Sequence, residues 1–286
     1  REYFYALRIA EQNYGFDDPR TLPAAMKLAS FYESLKEFAA ARGLYLRVLN
    51  ISMKESGGFN PLTVKSLIAI SRTHRMQYML EPATLEGQSQ DRGQATGEVP
   101  GHTTRDPWVP VLGVDRDGLK SVEQALELLR ASSDPPRPLL AETLTELGDW
   151  YQAMSRASTA IPYYAEASTI YAAEIDSGIG NPLLAPRMIF YRPPLASTRG
   201  IGAVTGEVVI HQTVFNFAVS ETGDTQNVSV VTTDMPDGQL AQSLRAIEHA
   251  VYSPRFENGK PVATEGVQFT SKWYEQRKAE TSSTTG

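Results

Sequence analysis

Residues 139–171 read LLAETLTELGDWYQAMSRASTAIPYYAEASTIY, and this stretch decides the fold. Leu144, Leu147, Gly148 and Tyr151 recur at three- and four-residue spacing, and Ala160, Tyr164 and Ala167 follow after a break. That is the apolar stripe of one amphipathic helix and then of a second. Upstream, Leu28, Ala29, Tyr32, Ala41, Tyr45 and Val48 give the same order with one substitution at the last small position, and Leu22, Ala25, Leu28, Ala29 and Tyr32 carry the helical period. An offset of 42 residues lays Tyr3, Leu7, Ile9 and Gly15 on Tyr45, Leu49, Ile51 and Gly57, Pro19 on Pro61, and Leu28 on Ile70. Self-similarity at such a period marks helix pairs that stack and bury one another's faces. Asp17-Asp18-Pro19 and Asn60-Pro61 set a capping side chain beside a proline that fits only a first turn, so each marks a helix start.

On these residues the chain resembles the tetratricopeptide repeat family, whose two-helix unit places Leu, a small residue, Tyr, Ala, an aromatic and Ala at set positions. A third unit starting near Val64 is degenerate, with Ser71 and His74 where the small residue and Tyr belong. The longer period, with its Gly15-Phe16-Asp17-Asp18-Pro19 turn, looks like the extended form of the repeat found in kinesin light chains and many bacterial proteins. Small residues at a crossing let two helices approach while aromatics fill the space beside them, so Tyr32, Tyr45, Tyr151, Tyr164 and the neighbouring Trp150 are expected in the core. The resemblance implies a concave groove lined by the first helix of each pair, at positions held by Met26, Ser30 and Glu33, then Lys65, Arg72 and Arg75, then Glu142, Asp149 and Gln152. Lys65, Arg72, Arg75, Glu142 and Asp149 are the candidate partner-binding residues of this groove. Arg72 and Arg75, three apart, suit a carboxylate on a partner peptide; a solvated basic face is the other reading.

Between the repeats, residues 82–118 break the helical period and are rich in Gly, Gln, Pro and Thr, which reads as an inserted loop. Its apolar island, Trp108-Val109-Pro110-Val111-Leu112, is either a strap that docks on a groove or partner, or a segment packed on its own repeats. Asp115 and Asp117 lack the later ligands of a calcium loop and are expected to cap a helix.

After Ile175 a run of Gly178, Gly180, Pro182, Pro186, Pro193 and Pro194 ends the helical array. Beyond it His211, Thr213, Phe215, Phe217 and Val219 alternate with Ile210, Gln212, Val214, Asn216 and Ala218, which is strand periodicity. Glu221-Thr222-Gly223-Asp224 turns the chain, Val228, Val230 and Val231 supply a returning strand, Asp237-Gly238 opens a helix with Leu240, Leu244, Ile247 and Val251, and a last strand carries Val267, Phe269 and Trp273 on one face. The ordered set Gly206-Glu207-Val208, Phe217-Ala218-Val219, Gly223, Gln226 to Val231, Leu244 to Ile247, Tyr252 to Phe256 and Asn258 to Val262 resembles the carboxy-terminal domain of TonB-type energy transducers over residues of about 182–275. That resemblance implies a periplasmic protein whose final strand, residues 262–274 here, is a sheet edge that accepts an extended peptide, with Thr264, Gln268, Thr270 and Lys272 facing outward. An edge covered by the chain's own tail or a dimer mate is the alternative. The family's membrane anchor and Pro-rich spacer are replaced by the helical array, and its Gln-Pro-x-Tyr-Pro element has only a partial echo in Tyr191-Arg192-Pro193-Pro194, so binding is expected rather than force transmission.

Composition narrows the functions. The 286 residues carry Lys+Arg 27 against Asp+Glu 33, net charge -6, 41% hydrophobic residues and no cysteine. Two domains are expected at this length; disulfides, thiolate metal sites and a cysteine nucleophile are excluded. The acidic balance and the absence of a basic stripe argue against a nucleic-acid partner, and no apolar run approaches the roughly 18 residues of a membrane span. The chain opens at Arg1, compatible with a signal peptide or anchor removed upstream. The histidines His74, His102, His211 and His249 have no metal-ligand spacing, Gly200 to Gly206 lacks the Lys-Ser or Lys-Thr of a phosphate loop, and no Gly-x-Ser-x-Gly occurs. The expectation is an α+β chain: tetratricopeptide-like helical repeats over residues 1–177, a small domain with a three-stranded antiparallel sheet and one helix over 182–275, and a tail at 276–286. Its expected function is a non-enzymatic periplasmic scaffold without cofactor or metal, a subunit of a bacterial envelope assembly that binds envelope proteins or extended peptides and forms homo- or hetero-oligomers. An energy-transducer relative contacting outer-membrane transporters, an enzyme, and a peptidoglycan-binding module are the alternatives.

Overall fold

The computed structural model describes residues 1–56, 59–80, 114–174, 178, 180–192 and 206–278. The apolar island at 108–112, His102, the segment around Pro193 and Pro194, and most of the tail lie outside these residues. The described chain is α+β, as the change of hydrophobic period requires.

Among the described residues seven helices form the first part: α1 (Glu2–Tyr14), α2 (Leu22–Ser34), α3 (Phe38–Ser56), α4 (Pro61–Leu80), α5 (Val114–Ala131), α6 (Arg137–Ala153) and α7 (Ala157–Ala173). The capping signals act where the sequence puts them. Asp18 accepts from the Arg20 N–H at 2.9 Å and opens a 3-10 turn, Pro19–Thr21, that feeds α2, while Asn60 accepts from the Leu62 N–H at 2.8 Å at the start of α4. The α2–α3 and α6–α7 turns are built alike: Lys36 (φ 63) and Ser155 (φ 58) take left-handed backbone, and Glu37 N–H bonds to Tyr32 O at 2.9 Å as Arg156 N–H does to Tyr151 O at 2.8 Å.

The helices pack in pairs, α2 on α3, α4 on α5 and α6 on α7, with α1 against α2. This revises the sequence reading of the insertion in two ways. It falls between the two helices of the middle pair, not between repeats, and α5 begins at Val114, so residues 114–118 are its first turns. Gly118 explains the misreading. A Cβ there would stand 2.2 Å from the Trp150 ring and 2.6 Å from His74 Cβ, so glycine, a turn signal in sequence, is here what lets α5 approach α4 and α6. Gly148 does the same at the α6–α7 crossing, 2.4 Å from the Tyr164 ring by the same construction, as the small-residue position predicts. Trp150, Tyr45 and Tyr164 are fully buried and the Trp150 indole N–H donates to Ser71 Oγ at 2.6 Å; Tyr32 and Tyr151 are half-buried, Tyr151 stacked on Tyr163 at 5.6 Å.

His74, in the aromatic position of the degenerate unit, is half-buried beside Gly118 and its Nδ1 has no hydrogen-bond partner among the described residues. Burial and then the Arg42 guanidinium hold its pKa down to about 4 from the ordinary 6.5, against a weaker pull from Asp117. The unfolded chain takes up this proton as the pH falls below 6.5 and the folded chain does not until about 4, so stability is lost across that window. On going from pH 7 to pH 4.5 the native chain should lose about 1–2 kcal/mol more unfolding free energy, measured by urea titration, than His74→Gln does, the partial exposure of the ring having been allowed for.

The second part contains β1 (Arg187–Phe190), β2 (Gly206–Val219), β3 (Thr225–Thr233), α8 (Asp237–Glu248), β4 (Val251–Ser253), β5 (Arg255–Glu257), β6 (Lys260–Val262) and β7 (Thr264–Lys278). The main sheet is antiparallel in the order β3-β2-β7, and β1-β4 and β5-β6 form two small ladders. Phe215, Phe217 and Val219 of β2 meet Val267 and Phe269 of β7 and are covered by Leu240, Leu244 and Ile247 of α8, with Tyr252, Met188 and Tyr191 closing the cluster. The last strand runs to Lys278 opposite Gly206, beyond the sequence estimate of 274 and into residues read as tail, because backbone pairing with β2 continues after the apolar alternation has stopped.

The two parts share a core. Leu183 and Phe256 are buried in the same cluster as Leu144, Trp150 and Tyr164, with Phe256 5.9 Å from the Tyr164 ring and its N–H on Leu183 O at 2.7 Å. Gly223, at the tip of the β2–β3 turn, has φ +87, and a Cβ there would lie 2.1 Å from the Tyr252 carbonyl and 2.5 Å from Gln152 Nε2. Gly223→Ala is therefore expected to lower stability by about 2 kcal/mol or more, read as a shift of the urea midpoint at unchanged slope.

Candidate protein-interaction site

The first helices α2, α4 and α6 carry the side chains expected to line a groove, and the structure divides them. At the α2–α4 end Met26 and Glu33 are half-buried, Ser30 and Lys65 are exposed, and Arg72 is half-buried. Arg72 Nε donates to Glu33 Oε1 at 2.5 Å and Tyr45 OH to Glu33 Oε2 at 2.8 Å, so one carboxylate from α2 ties α3 and α4 together. Burial first, and then the Glu33 carboxylate, push the Tyr45 phenol up. Glu142, on α6, is exposed.

At the α4–α6 end the expectation for Arg75 and Asp149 fails. They are 4% and 2% exposed and bind each other at 3.2 Å instead of facing a partner. Arg75 also makes a two-pronged pair with Glu146 at 2.9 and 2.8 Å. Asp149 Oδ1 accepts from Tyr164 OH at 2.8 Å and from Arg187 at 2.5 Å. Two guanidiniums and two carboxylates thus balance in a buried cluster. Burial pushes the Glu146 carboxyl up and Arg75 opposes it; burial and then Asp149 push the Tyr164 phenol well up.

Arg187 belongs to β1, and Gln152 of α6 donates to the Thr222 carbonyl in the β2–β3 turn at 2.6 Å. Arg192, just past β1, donates to Met79 O of α4 at 3.2 Å. The inner positions of α6 and the end of α4 are therefore occupied by the chain's own second part, and among the described groove candidates Ser30, Lys65 and Glu142 remain exposed, with Arg72 half-buried beside Glu33. Sequence had no means of finding Arg187, which sits in a Pro-rich connection 38 residues from its carboxylate.

The second candidate surface is β7. In the sheet order it pairs with β2 along Gly206 to Val219 and has no strand on its other side among the described residues. Gln268, Thr270 and Lys272 are exposed, opposite Asn216, Val214 and Gln212 on the face turned from α8. Thr264, at the strand's start, is half-buried. Val267, Phe269 and Trp273 take the inner face, as their alternation predicts. Among the described residues no group of three or more His, Cys, Asp or Glu is placed to hold a metal ion, and no helix is long and apolar enough to cross a membrane.

Residues 116–173, spanning nearly all of α5 and all of α6 and α7, match the family model of the tetratricopeptide repeat. No curated protein matches the chain. The repeat match supports a role in protein–protein interaction.

Proposed function

We propose that this chain is a non-enzymatic scaffold of a bacterial envelope assembly, working in the periplasm and holding partner proteins through the open part of the helical groove and through the β7 edge. The observation that carries the reading is the joining of matched repeat helices to a sheet whose long strand β7 is paired, among the described residues, on one side alone. Helix arrays of this kind offer extended concave surfaces. A free strand edge offers a row of backbone donors and acceptors to an extended peptide, with side chains alongside to select it. The ordered motifs from Gly206 to Val262 that resemble TonB-type carboxy-terminal domains support the periplasmic setting, and the polar set Gln268, Thr270 and Lys272 suits an edge that stays unpaired until its partner arrives.

Photo-crosslinking residues introduced singly at Ser30 and at Lys272 test the two surfaces on the whole chain in envelope extracts. Each position should yield a small set of discrete adducts, and those at Lys272 should be competed by a peptide copied from the crosslinked partner segment. Absence of adducts at both positions, with a control position on the chain crosslinking normally when a known binder is added, would remove the proposal.

A further inference from the structure

β3 leaves the main sheet before its neighbours do. Its last rung sets Thr233 against Thr213, whereas β2 and β7 stay paired from there to Gly206 and Lys278, so residues 206–212 and 272–278 form a ribbon of two strands among the described residues. A two-stranded ribbon standing alone is marginally stable in water. One side chain ties this ribbon to both of its flanks. His211, on β2 and directly across from Trp273 of β7, has a side chain 12% exposed, and its ring lies 5.3 Å from the Trp273 ring. Its Nδ1 is 2.9 Å from the Asp234 carbonyl oxygen, just past β3, and its Nε2 is 3.2 Å from Glu275 Oε2, on β7. Asp234 is itself fixed to β2, its N–H donating to Gln212 O at 3.1 Å and its carboxylate accepting from the Gln212 N–H.

These contacts demand two protons. A carbonyl oxygen can only accept, so Nδ1 must carry a hydrogen; an ionised carboxylate can only accept as well, so Nε2 bonds to Glu275 only by carrying a second. The imidazolium alone satisfies both. The Asp234 carboxylate, 3.7 Å from Nδ1, and the neighbouring Trp273 ring favour the positive charge too. Asp234 and Glu275 are the charged groups that meet this ring among the described residues: none comes from α8, and from Val208 to Val219 its own strand carries no other titratable side chain. With one proton lost, Nε2 turns a lone pair toward the Glu275 carboxylate.

We propose that His211 is an acid-closed latch, whose protonation pins the β2–β7 ribbon to the end of β3 and whose deprotonation frees the ribbon to fray from Tyr274 to Lys278 and from Gly206 to Ile210. Imidazole changes its charge between about pH 5 and 8, which sets the range of the switch. Linkage gives the sign: a contact made only by the protonated ring stabilises the ribbon in acid and is lost as the pH rises. His74 acts in the opposite direction, costing stability as the pH falls. The ribbon includes the far end of the β7 edge, so that edge is longest in acid. The latch needs no partner, and its failure leaves the binding role proposed for β7 untouched.

Hydrogen exchange of the whole chain, read by mass spectrometry and corrected for the intrinsic effect of pH, tests the latch. Amides in 206–210 and 274–278 should be protected at least about fivefold better at pH 5.5 than at pH 7.5 in the native chain, and by less than about twofold in His211→Gln and in Glu275→Gln. Glu275→Gln keeps the imidazole in place, so a flattened pH response there separates the latch from lost packing of the histidine. His249→Gln, an exposed change just past α8, should keep the native difference. Nitrogen chemical shifts of the His211 ring should show both nitrogens protonated at pH 5.5. Equal protection at the two pH values in the native chain, a difference that survives His211→Gln or Glu275→Gln, or a ring singly protonated at pH 5.5 overturns the proposal.

Discussion

Asp149→Ala should lower the unfolding free energy by about 3–5 kcal/mol, the range for breaking a buried ion cluster from one side. The carboxylate serves Arg75 and Arg187 together, at 3.2 and 2.5 Å, and Tyr164 OH at 2.8 Å, and it is 2% exposed, so water cannot replace it. Its loss leaves Arg75 with Glu146 alone and Arg187 with no carboxylate in reach among the described residues. Arg187→Ala is the companion measurement. Arg187 is the more exposed partner, with a side-chain exposure of 32%, and its removal leaves Asp149 still neutralised by Arg75, so a smaller loss of about 1–3 kcal/mol is expected. Urea unfolding followed by circular dichroism gives both values; equal losses in the two variants would show that the cluster does not distinguish its members.

Trp150→Ala is expected to cost about 3–5 kcal/mol for a different reason, the cavity left by a large side chain that neighbours cannot fill. The indole lies where α4, α5 and α6 meet, with no exposed surface, 6.1 Å from Tyr78, and against the bare backbone of Gly118. Trp150→Phe keeps much of the volume but strands Ser71, whose hydroxyl accepts the indole N–H at 2.6 Å, so about 1–2 kcal/mol is expected from that variant. Because the three helices belong to two pairs, Trp150→Ala should also reduce the steepness of unfolding by letting the pairs separate.

What the sequence discloses is what repeats locally. The Tyr-and-small-residue spacing gives the helix pairs and the Gly148 crossing, Asn60 gives a helix start, Glu221 to Asp224 gives a turn, and the alternation from Ile210 to Val219 gives the central strand. All of these follow from neighbours within a few positions, where periodicity is strict. The Asp149 cluster is not of this kind. Asp149 and Arg75 fit the helical frame of a groove equally well, and the residue that completes the cluster around Asp149, Arg187, arrives on β1 from a distant part of the chain. The pairing of α4 with α5 is likewise invisible, since the period is interrupted between them, and Gly118 carries the mark of a turn while lying inside a helix. The small ladders β1-β4 and β5-β6 have strands of three or four residues, too short for alternation to register.

The long excursion inside the middle pair also bears on how the array assembles. Three residues, 35–37 and 154–156, join the helices of the outer pairs, whereas 33 residues, 81–113, separate α4 from α5. Contacts between segments far apart in sequence cost more chain entropy to make than contacts between near neighbours. The hairpins α2–α3 and α6–α7 are then the natural nuclei, and α4 and α5 are drawn together between two surfaces that have already formed.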